Sequence, residues 1–61
     1  MSVATIEKLA AEVFESEAAG HAWLRQPNHV FGDRAPYDLL SRHEFDAVRA
    51  ALNAIATGGA A

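Results

Sequence analysis

The chain has 61 residues, no cysteine, a formal net charge of −3 and an apolar share of 51%. That length allows one small domain, and the acidic balance argues against a nucleic-acid module, which needs a basic face for phosphates. No run of about 18 apolar residues would span a membrane and no basic-then-apolar leader is visible, so a cytoplasmic protein without disulfides is expected.

Fourteen of the apolar residues are alanine, leaving 17 large ones to build a core. A core that small leaves the monomer little margin. Self-association or a binding partner is therefore expected, because whatever binds the folded form stabilises it. The cations Lys8, Arg25, Arg34, Arg42 and Arg49 do not cluster.

In chain order, the spacing predicts an all-α fold. It is a small bundle of about four helices, two of them short, with an irregular central connector. The first helix runs from about Val3 to Glu15, with Ile6, Leu9, Ala10, Val13 and Phe14 on one apolar stripe. Ser2 or Thr5 caps it, and the sequence does not decide between them. Ser16 breaks this helix and caps a second, from about Glu17 to Leu24, with Glu17 placed favourably in the first turn. Continuation through Ser16 with a kink is the alternative. Gly20 is costly inside a helix, which suggests close approach to a neighbour.

Pro27 disfavours helical geometry at Gln26 and ends the second helix by Arg25. Asn28 to Phe31 is read as a short helical turn, Gly32 as a left-handed stop, and Asp33-Arg34 as turn residues. Pro36 suits the first position of a short helix, although Ala35 is a poor cap. Tyr37, Leu39 and Leu40 supply that helix's apolar contacts. Ser41-Arg42-His43-Glu44 reads as a capping box opening a last helix from Arg42 to about Thr57. Phe45, Val48, Leu52 and Ile55 form its stripe, and Gly58 terminates it. Gly59-Ala60-Ala61 is a free tail. Ala47, Ala50, Ala51 and Ala54 form a small-residue face, either because Ala is the best helix former or as a close-approach surface for a partner or second copy.

No catalytic constellation emerges, and the expectation is a protein that is not an enzyme and uses no cofactor. His21, His29 and His43 lie 8 and 14 residues apart, which fits no metal-binding pair. Ser41 and His43, two apart on a helix, do not face each other. Glu12, Glu15 and Glu17 read as a solvated face. Gly58-Gly59 is a helix end and not a phosphate loop, because no helix follows it. Trp23 reads better as core, with its indole N–H on a carbonyl near the Pro27 turn, than as an interface hot spot. Tyr37 is left open between the two, and Phe31 is expected to pack under the turn.

From Ala22 to Leu40 the chain reads A-W-L-x-x-P-N-x-x-F-G-x-x-x-P-x-D-L-L. Together with the later Val48, Leu52, Ile55 and Gly58, this resembles the C-terminal toxin-binding domain of Xre/MbcA/ParS antitoxins, over about Thr5 to Gly58. The resemblance implies a single toxin-binding domain over 1–61, with the N-terminal Xre-like DNA-binding region absent and no direct nucleic-acid binding. It implies the antitoxin of a type II toxin-antitoxin system. The partner would be a RES-fold toxin from an adjacent gene that consumes or transfers ADP-ribose from NAD, and the assembly a homodimer or hetero-oligomer.

In such a domain Trp23, Leu24, Pro27, Asn28, Phe31, Gly32, Pro36, Leu39 and Leu40 form the scaffold. The C-terminal end obstructs the toxin's active site. Here that end is Ile55, Ala56, Thr57, Gly58, Gly59, Ala60 and Ala61, supported by Arg49, Leu52 and Asn53. A thin tail suits a cleft, and its terminal carboxylate suits a cationic site built for NAD phosphates. Ordering such a tail is entropically costly, so most affinity is expected from the helical surface. The sequence departs from the family pattern at Ala35, where a small polar residue is usual, and near Glu44, where glycine is common. A homo-oligomeric adaptor with another partner is the alternative, and a vestigial DNA-associated regulator is a third reading against which the acidic charge weighs.

Overall fold

Serine side chains start the first two helices of the protein, whose computed structural model describes residues 1–58. Ser2 is extended, and its hydroxyl accepts from the Thr5 N–H at 3.2 Å to open α1, Val3–Phe14. Of the two candidate caps, Ser2 is the one used. Glu15 then turns left-handed at φ 55°, and the Ser16 N–H reaches back to the Ala11 carbonyl at 3.0 Å. The Ser16 hydroxyl accepts from the Ala19 N–H at 3.1 Å and opens α2, Glu17–Arg25. One residue thus closes the first helix and starts the second, which makes the sharp reversal possible.

Gly20 lets that reversal become close packing. A β-carbon built there would lie 2.9 Å from the Ala10 carbonyl carbon and 2.9 Å from the Ala11 nitrogen. Those atoms are backbone, so no neighbouring rotamer can give way, and only glycine fits this α1–α2 crossing. α2 ends where Gln26 becomes extended at ψ 143°, one residue before Pro27. A 3-10 turn at His29–Phe31 follows, then α3, Pro36–Ser41, and α4, Phe45–Ala56. α1 packs against α2 and α4, and α3 bridges α2 and α4. The shared core holds Ile6, Ala10, Leu24, Phe31, Leu39, Leu40, Val48 and Leu52. Leu9, Val13, Phe14, Trp23, Tyr37, Phe45 and Ala51 lie around it, partly buried. The result is an all-α bundle, with no strand among the described residues.

Three details of the sequence reading require correction. The expected capping box at Ser41–Glu44 does not form. Ser41 is the last residue of α3, and its hydroxyl donates to the Asp38 carbonyl at 2.7 Å. α4 begins three residues later than expected, at Phe45, with no side-chain cap from Glu44. In place of the box, His43 adopts φ 60°, its N–H donates to the Leu40 carbonyl at 3.0 Å, and the Glu44 N–H donates to the Leu39 carbonyl at 2.9 Å. This paired closure satisfies the last carbonyls of α3. It also keeps Leu39 and Leu40 in the core at 2% exposure each. Two buried leucines outweigh a surface cap worth about 1 kcal/mol.

The second correction concerns Trp23. Its ring packs against Phe14 with centroids 6.0 Å apart. Among the described residues its N–H has no carbonyl partner near Pro27, because a partly buried indole does not require an internal acceptor. The third concerns the alanine face. Ala51 turns toward the core, while Ala47 and Ala50 are exposed and Ala54 is partly buried, so the open stripe is narrower than the spacing suggested. The tail 59–61 lies outside the described residues.

Candidate partner-binding surface

The connector between α2 and α3 is fixed from within. Asn28 uses three of its polar groups on it: its N–H donates to the Arg34 carbonyl at 3.0 Å, its carbonyl accepts from Phe31 and Asp33, and its side-chain oxygen accepts from the Val30 N–H at 2.9 Å. The Gly32 N–H returns to the His29 carbonyl at 3.2 Å, and Gly32 itself sits at φ 66°, a conformation costly for residues with a β-carbon. The Arg34 guanidinium Nε donates to the Phe31 carbonyl at 3.1 Å. Phe31 drives into the core beneath these bonds at 9% exposure. Pro36 is buried at the start of α3, where its missing N–H costs nothing. Leu24, Phe31, Leu39 and Leu40 thus occupy core positions, while Pro27 and Gly32 are exposed shapers of the turn.

The far end of α4 is different in character. Arg49, Asn53, Ile55, Ala56, Thr57 and Gly58 are exposed, and Ile55 is 42% open to solvent although it continues the apolar stripe. Leu52, grouped with these residues in the sequence reading, is fully buried and acts only by packing. The Thr57 N–H donates to the Asn53 carbonyl at 3.0 Å, and the Thr57 hydroxyl lies within hydrogen-bond distance of that same carbonyl and, at 3.3 Å, of the Ala54 carbonyl in the last turn. Gly58 then leaves the helix at φ 86°. Residues 59–61 of the expected contact segment lie outside the described residues. The arrangement offers an apolar residue, small side chains and amide or hydroxyl groups, which is binding chemistry and not acid–base chemistry.

One contact was not legible in the sequence. The Tyr37 hydroxyl donates to a Glu7 carboxylate oxygen at 2.7 Å, joining α3 to α1 across thirty positions. Burial, then the hydrogen bond and the charge of Glu7, push the Tyr37 phenol above its ordinary value, opposed by Arg25. A raised phenol pKa stabilises the fold below the ordinary value near 10 and loses that contribution as pH rises past it. Neither a hydrophobic period nor a local motif marks a pair so far apart.

Among the described residues, one recess of about 280 Å³ is lined by Met1, His43, Glu44, Phe45, Asp46 and Ala47, and another of about 320 Å³ by Glu7, Lys8, Ala11, Glu17 and His21. Most of their lining residues are exposed, so neither shields a reacting group from water. Among the described residues no group of three or more His, Asp or Glu side chains is placed to hold a metal ion, and no helix is long and apolar enough to cross a membrane.

With this geometry in hand, residues 9–58 match the family model of the antitoxin Xre/MbcA/ParS C-terminal toxin-binding domain. No curated protein and no solved structure matches the chain.

Proposed function

Because the chain belongs to the Xre/MbcA/ParS antitoxin C-terminal toxin-binding domain family, we propose that it is the antitoxin of a type II system and neutralises a RES-fold, NAD-consuming toxin in the cytoplasm. A toxin-binding domain works by occupying its partner, without chemistry of its own. The observation that carries the mechanism is Ile55, an apolar residue left 42% exposed in the last turn of α4. It is flanked by exposed Arg49, Asn53, Ala56 and Thr57.

An apolar residue ringed by polar ones matches the build of a protein interface. In this reading α4 docks on the toxin, and the segment from Gly58 onward obstructs the entrance to its NAD site. Burying Ile55 and the small side chains beside it supplies the affinity, while the tail supplies the block. The adaptor reading draws on exposed Ala47 and Ala50, which would permit close approach of a second copy.

Co-expression with the toxin of the neighbouring gene, with cellular NAD as the readout, tests the proposal. The full chain is expected to restore NAD and growth, and failure to do so removes the antitoxin reading. Deletion of Gly58 to Ala61 is expected to abolish rescue while a complex still forms. Rescue that survives the deletion places the inhibitory contact on the helix and discards the tail mechanism.

A further inference from the structure

We draw no further inference here: the strongest candidate, the recess between α1 and α2 lined by Glu7, Lys8, Ala11, Glu17 and His21, is walled mostly by exposed side chains, its one partly buried carboxylate, Glu7, already accepts from the Tyr37 hydroxyl, and nothing in the structure shows what covers it.

Discussion

Between Asn28 and Arg34 the chain turns mainly on residues whose side chains close the turn, Asp33 at φ 67° excepted, while between Arg42 and Glu44 no side chain closes it. The first turn has an amide side chain on a free N–H, a glycine at φ 66° and a ring beneath it. The second has a histidine at φ 60° and a helix start with no side-chain cap. Both flank the same six-residue helix, α3. The difference teaches that a turn can be held by its own residues or imposed by what it joins. Leu39 and Leu40 before the second turn, and Val48 and Leu52 after it, are buried. Their burial sets the path, and the junction residues adapt to it.

The largest test of this contrast is Phe31→Ala. Removing the ring under the connector should cost about 3–5 kcal/mol, enough to unfold most of so small a chain in a urea titration followed by circular dichroism. A loss below about 1 kcal/mol would mean that the hydrogen bonds alone hold the connector.

A smaller test sets Asn28→Ala against Ser41→Ala. The first deletes a working cap and should cost about 1 kcal/mol. The second deletes a residue that only resembles a cap and should stay within about 0.5 kcal/mol. Equal losses in thermal midpoint would restore the capping box that the fold displaces.

The smallest effect is expected from His43→Gly. Relief of the left-handed histidine should raise stability by about 0.5 kcal/mol, after the entropy of glycine and the lost edge contact with Phe45 at 5.7 Å are set against it. A drop in stability would show that the contact with Phe45 matters more than the backbone geometry.

Much of the fold was legible in the residues. Ser16 as a cap, the end of α2 before Pro27, Pro36 opening α3 and the left-handed Gly32 follow from rules that act over one turn of chain, whereas the choice of Ser2 over Thr5 did not. The family was legible too, because its pattern lies in those same local shapers. The candidate contact surface was legible only in outline. Periodicity placed Leu52 and Ile55 on one stripe, yet the bundle buries the first completely and leaves the second 42% exposed.

By itself, then, the sequence determined the four helices, the Ser16 cap between the first two and the kinship of the chain, because hydrogen bonds and backbone preferences within a few residues decide these. Tertiary structure decided where α4 begins, which of its apolar residues remain open and the Tyr37–Glu7 link. Each of those depends on which distant surfaces compete for the same core. Burial of Leu39, Leu40 and Leu52 there outweighs a local cap or a regular stripe.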